Sequence, residues 1–100
     1  MYEHIVVFRF NQELSEDLEQ DLLRQVKSFQ ERIPGIVSMS AGKNATHETE
    51  NVHGFTMGLR ITFESREALM AYGPHPVHQA FVRSLDGLLA QVVVADYEIV

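Results

Sequence analysis

The sequence predicts an α+β fold of the ferredoxin-like kind, β-α-β-β-α-β, with a four-stranded antiparallel sheet, helices on one face and the second helix broken. Three observations carry this. Residues 2–10, 36–43, 55–63 and 91–100 read as strands, from β-branched runs or two-residue alternation. One long amphipathic helix separates the first two strands, and a helix interrupted at Gly73-Pro74 separates the last two. The first and last strands are apolar on both sides, so one side of the sheet needs a cover that the helices do not supply. The chain is 100 residues long, so residues 1–100 form one domain.

Along Tyr2–Phe10, Tyr2, His4, Val6, Phe8 and Phe10 share one side, and Ile5 and Val7 lie on the other between Glu3 and Arg9. Ser15 is a good N-cap, and Glu16 and Asp17 put negative charge in the first turn, where the helix dipole favours it. Leu18, Leu22, Val26, Phe29 and Ile33 then recur at helical spacing, which predicts one continuous helix ended by Pro34-Gly35. Ile36–Lys43 is a weaker strand, and the polar stretch 44–54 reads as a loop. From Phe55 to Phe63 the alternation is clean, with Phe55, Met57, Leu59, Ile61 and Phe63 on one face. Ser65 caps a short helix carrying Ala68, Leu69 and Tyr72. Pro76 opens the next one, in the first turn where its missing donor costs nothing. Val77, Ala80, Phe81, Leu85 and Leu88 give that helix its apolar side.

Helices cover only one side of such a sheet, so Ile5, Val7, Val93, Tyr97 and Ile99 are expected on the open side. A second copy of the chain is the simplest cover, which predicts a two-fold homodimer with sheets packed face to face.

Composition narrows the function classes. Eight basic residues against fourteen acidic ones give a formal charge of −6, and the basic residues are scattered. No stripe exists to neutralise phosphates, so nucleic acid is not an expected partner. No apolar stretch approaches the ~20 residues that span a bilayer, and no secretory leader is evident, so a cytoplasmic protein without membrane contact is expected. There is no cysteine, hence no disulfide and no thiolate metal site.

The chemistry concentrates in Tyr72-Gly73-Pro74-His75-Pro76-Val77-His78, a phenol and two imidazoles in a turn stiffened by two prolines. His75 and His78, or His47 and His53 in the polar loop, offer nitrogen ligands. No His-x-x-x-His or Glu-x-x-His pattern accompanies them, so no metal and no cofactor is expected.

Several segments together resemble the stress-responsive dimeric α/β-barrel domain (Dabb) family. They are His4-Ile5-Val6-Val7-Phe8-Arg9-Phe10, Ile33-Pro34-Gly35-Ile36, Gly54-Phe55-Thr56, Thr62-Phe63-Glu64-Ser65, Tyr72-x-x-His75-Pro76-x-His78 with Phe81, and Val94-x-Asp96-Tyr97. The resemblance spans essentially the whole chain and implies a homodimer whose two sheets form a barrel. Most members have no assigned reaction. A polyketide cyclase of the family closes a linear chain by aldol condensation without metal or cofactor. The resemblance to it extends over His4, Tyr72, His75, Pro76, His78, Phe81 and Asp96. It implies His78 as general base with Tyr72 assisting. Val26 and Met57 stand where the cyclase has a tyrosine and a histidine. This implies a pocket with fewer polar contacts and a different substrate.

Aldol-type chemistry needs a base beside a carbonyl and a donor for the resulting oxyanion, roles that His78 and Tyr72 suit. Asp96, at even spacing from Val92 and Val94, is placed to hold the His78 tautomer. The pocket walls expected around them are His4, Val6, Phe8, Leu59, Ile61 and Phe81. Each polar side chain also has a structural reading. His75 can bond backbone groups left open by the helix break, His78 can tie its helix to the sheet, and Tyr72 and His4 can be satisfied core residues. Three functions stay open at this point: a homodimer binding a small apolar or aromatic molecule, a cofactor-independent enzyme, or a structural dimer with a filled core.

Overall fold

Alternation along the first strand decides which side of the sheet is covered. In the computed structural model, which describes residues 1–100, β1 (Tyr2–Phe10) buries His4, Val6 and Phe8 and leaves Ile5 and Val7 half-buried on the other side. The remaining elements are α1 (Glu16–Lys27), α2 (Phe29–Arg32), β2 (Ile36–Lys43), β3 (Met57–Phe63), α3 (Arg66–Tyr72), α4 (Pro76–Ser84) and β4 (Leu89–Glu98). The strands form one antiparallel sheet in the order β2-β3-β1-β4, the expected ferredoxin-like arrangement. Leu22, Val26 and Phe29 from the helices meet Ile61 and Phe63 of the sheet at the centre of the core. All five are essentially sealed from water, each contributing about 1.5–3 kcal/mol relative to exposure.

The helix that the apolar spacing predicts as continuous is two helices. Ser15 caps α1 by accepting from the Leu18 amide at 3.2 Å. At Ser28 the hydroxyl donates to the Gln25 carbonyl at 2.7 Å, competing with the backbone ladder, and a four-residue helix follows. The stripe survives the break, since Phe29 and Ile33 are both buried. Gly35 then turns the chain at φ +88°. A Cβ there would stand 2.4 Å from the Ala68 Cβ, so α3 sits against this turn in a way only glycine allows.

Two strand boundaries differ from the sequence reading. β3 begins at Met57 and not Phe55, because the Phe55 amide turns back to bond the Val52 carbonyl at 3.1 Å. β4 runs from Leu89 to Glu98 and not from Gln91 to Val100. A bulge at Arg9/Phe10 brings Leu89 opposite Phe10, and at the other end β1 runs out after Tyr2 pairs with Glu98.

The open side of the sheet divides in two. On the β2/β3 half, the Thr62 hydroxyl donates to Glu3 Oε1 at 2.6 Å. Arg60 Nη1 donates to Thr62 at 2.8 Å and lies 3.4 Å from Glu3 and from Ser38. On the β1/β4 half, Ile5, Val7, Val93 and Tyr97 present apolar surface. Val93, Tyr97 and Ile99 are exposed as expected, but so are Val92 and Val94, which face the helix side. The reason is position: β4 is an edge strand, with α1 and α2 seated over β2 and α3 over β1 and β3, and no helix packed closely on β4.

Candidate functional site

The uncovered flank of β4 borders a cavity of about 610 Å³ between the sheet and the pair α3/α4. Fourteen of its twenty lining residues are hydrophobic, so a guest meets an apolar wall with few polar anchors. His4, Val6, Phe8, Leu59, Tyr72, His78, Phe81 and Asp96, all expected there, line it. Ile61 does not. It is fully buried, set on β3 between Met39 of β2 and His4 of β1.

The Tyr72–His78 turn is built by caps. His75, in extended backbone geometry, accepts from the Val77 amide through Nδ1 at 3.1 Å and so caps α4, with Pro76 in its first turn. Its imidazole is occupied by the backbone, and it does not line the cavity. His78 Nδ1 lies 2.8 Å from the Gly73 carbonyl. A carbonyl only accepts, so the proton is on Nδ1 and Nε2 carries the free lone pair. The His78 ring lies against Tyr72 with centroids 4.3 Å apart, and its pKa falls below the ordinary 6.5. Burial is the main cause, the positive charge that His4 and His75 can carry adds to it, and the Gly73 bond works in the opposite direction. The imidazole is therefore neutral at pH 7.

Tyr72 is 4% exposed, yet its hydroxyl bonds no protein group. No sealed polar side-chain atom in the chain lacks a partner, so this hydroxyl is open to the cavity. Burial, and secondarily the Asp96 charge, push its pKa well above the ordinary 10, keeping it a neutral donor.

Asp96 does lie on the cavity side, but it holds His4 and not His78. His4 Nδ1 and Asp96 Oδ1 are 2.5 Å apart, because the two residues are directly opposed in the β1–β4 register. The His4 ring meets Tyr72 edge-on at 5.2 Å, so the polar groups run Asp96, His4, Tyr72, His78. A carboxylate, an oriented imidazole, a phenol donor and a second imidazole with a free lone pair thus share one apolar cavity. This set can bind a carbonyl group, take a proton beside it and hold the resulting oxyanion.

Leu69, Met70, Val82, Leu85, Leu89, Val92 and Val94 also line the cavity beyond the expected set, and Tyr97, expected on the open side of the sheet, borders it too. Arg66 and Glu98 stand on its wall as further charged groups. Val92 and Val94 were legible in principle, since they share the even spacing that placed Asp96. Val26 and Met57 lie in the core and not on the cavity wall. Nowhere does the chain gather three or more histidine or acidic side chains in a metal-binding group, and no helix is long and apolar enough to cross a membrane.

Comparison with known proteins gives a family and a set of folds. The model of the stress responsive A/B barrel domain matches residues 2–99. The stress-response A/B barrel domain-containing protein HS1 of Arabidopsis thaliana is 30% identical over 96 residues, covering 95% of this chain and 86% of that one. Olivetolic acid cyclase of Cannabis sativa is 26% identical over 94 residues, covering 94% and 92%. Among solved structures, a dimeric ferredoxin-like protein of unknown function from Thermobifida fusca superimposes with a TM-score of 0.84 at 19% identity, covering 98% of this chain and 90% of that one.

Proposed function

Since the chain belongs to the stress responsive A/B barrel domain family, we propose that it is a homodimer in which each cavity binds a small apolar or aromatic molecule. The observation that carries this is the cavity of about 610 Å³, walled by Val6, Phe8, Leu59, Phe81 and Val94 and open to a guest. A filled core would leave no such space. The open sheet side and the dimeric solved relative support the two-copy assembly. The test is titration with the neutral aromatic probe N-phenyl-1-naphthylamine, using Val94→Trp to fill the cavity mouth. The wild type should bind the probe and enhance its fluorescence. The variant should lose binding with an unchanged melting temperature. A wild type that does not bind the probe, or a variant that binds it equally, would sink the reading.

The arrangement of His78 and Tyr72 favours a second, enzymatic reading, and the cyclase relative supports it. His78 Nε2 takes a proton from the carbon next to a bound carbonyl. The C–H electron pair moves into the enolate, and the oxyanion accepts a hydrogen bond from the Tyr72 hydroxyl. The imidazolium then returns a proton to carbon, or the enolate carbon bonds to a second carbonyl to close a ring, the C=O π pair becomes an alkoxide, and that alkoxide takes the proton from the imidazolium. No cofactor enters this sequence. Proton exchange of acetophenone in deuterium oxide, followed by NMR, tests it. Exchange above the buffer rate that disappears in His78→Ala is expected. Equal exchange by wild type and variant would remove His78 as base and leave binding alone.

A further inference from the structure

The cavity has a wall on which nothing rests. Val92 and Val94 point to the cavity side of β4 and are 44% and 50% exposed, while Val93 on the opposite side of the same strand is 45% exposed. Exposed valines therefore flank both faces of the edge strand, from the cavity mouth to the open side of the sheet. The outer backbone edge of β4 pairs with no other strand. A ten-residue edge strand with exposed valines on both faces is a surface that folded proteins normally cover.

We propose that the second copy of this chain, packed on the open side of the sheet, also lies against β4 and supplies the missing lip of the cavity. The ligand site is then complete only in the dimer. This rests on the homodimeric, ligand-binding reading given above. A second copy is the occupant because the patch on β4 is continuous with the Ile5, Val7 and Val93 surface that the same partner covers. The chemistry points the same way. Asp96 is 44% exposed at its side chain while the imidazole it holds is 11% exposed, so the inner half of the pair is dry and the outer half is wet. A lip over β4 would remove that water and sharpen every polar contact in the cavity. Because linkage is reciprocal, a guest in the cavity must then tighten the dimer.

Val93→Lys separates the two events, since Val93 faces the open side and does not line the cavity. Probe binding is read from the His78 ring-proton resonances, so that dye adhering to the newly exposed open side is not counted. Expected is a folded monomer by circular dichroism and sedimentation that binds N-phenyl-1-naphthylamine about tenfold more weakly than the wild-type dimer. If the variant does not fold, wild-type protein is diluted through its dimer dissociation range, and probe affinity should fall with dissociation. In the reverse direction, saturating probe should tighten the wild-type dimer by about the square of that factor, because both protomers carry a probe. Equal affinity in monomer and dimer would overturn the shared lip while leaving the binding cavity standing. Failure of the wild-type dimer to bind the probe would overturn both.

Discussion

His4 and Asp96 face each other across neighbouring strands, with imidazole Nδ1 and carboxylate Oδ1 2.5 Å apart. The carboxylate only accepts, so it fixes the His4 proton on Nδ1 and holds the ring edge-on to Tyr72. Asp96→Ala removes that anchor. Because the carboxylate is nearly half exposed, the stability loss should be modest, about 1 kcal/mol in a denaturant titration. Asp96→Asn keeps an acceptor and should recover most of it. A loss above about 3 kcal/mol would mean that the pair is buried by something other than its own chain.

Tyr72→Phe deletes a hydroxyl that bonds no protein group. The melting temperature should therefore stay within a few degrees of wild type, a change of about 0.5 kcal/mol or less. Carbonyl proton exchange, if His78 performs it, should drop by about 10²–10³, the usual cost of removing one oxyanion donor. A large stability loss with unchanged exchange would assign the phenol to the core alone.

The depressed pKa of His78 sets a pH dependence with a definite sign. The unfolded chain takes up this proton near 6.5, and the native state does so only at lower pH. Between those two values the unfolded state holds more protons, so lowering the pH through that window destabilises the native state, and stability levels off below it. Base activity should follow the same limb, staying high at pH 6.5 and falling below it. Proton NMR titration of the His78 ring gives the midpoint directly. A midpoint above 6.5 would contradict the buried, neutral imidazole.

Much of this was legible before the structure. Alternation placed His4, Val6 and Phe8 inward, and the Gly73–Pro76 break placed Tyr72 and His78 beside each other. The even spacing of Val92, Val94 and Asp96 put the carboxylate on the correct side of β4. What spacing does not encode is the register between strands distant in sequence. His4 rather than His78 receives Asp96 because Tyr2 pairs with Glu98 and every later pair follows from that. Ile61 shares the face of Leu59, but only the lie of α3 and α4 determines which of the two borders the void. Ser28 reads as a neutral helix residue until its hydroxyl finds the Gln25 carbonyl.

Gly35 makes a separate stability prediction. An alanine there meets the Ala68 Cβ at 2.4 Å and must also adopt φ +88°. Gly35→Ala should cost roughly 3 kcal/mol, combining overpacking with a left-handed backbone. Adding Ala68→Gly relieves only the collision, so the double variant should regain part of the loss in thermal melts. Full stability in Gly35→Ala would show that α3 can move away from the turn.

Val7→Glu places a charge in the apolar half of the open sheet side. The expected outcome is a monomer, or loss of folding, and an unchanged dimer mass in light scattering would contradict sheet-to-sheet packing.

The Glu3–Arg60–Thr62–Ser38 network has a bearing on that packing. Each of its charges already has its counterpart within the same sheet. The polar half of the open side can therefore go under cover without asking the opposing surface for matching hydrogen bonds. Discrimination between partners then falls to contour, in the strip where the Gly42 and Gly58 backbones lie level with the Val7 and Val93 side chains. A chain carrying bulk at either glycine would present a raised strip, and would sort away from this one by steric fit rather than by charge.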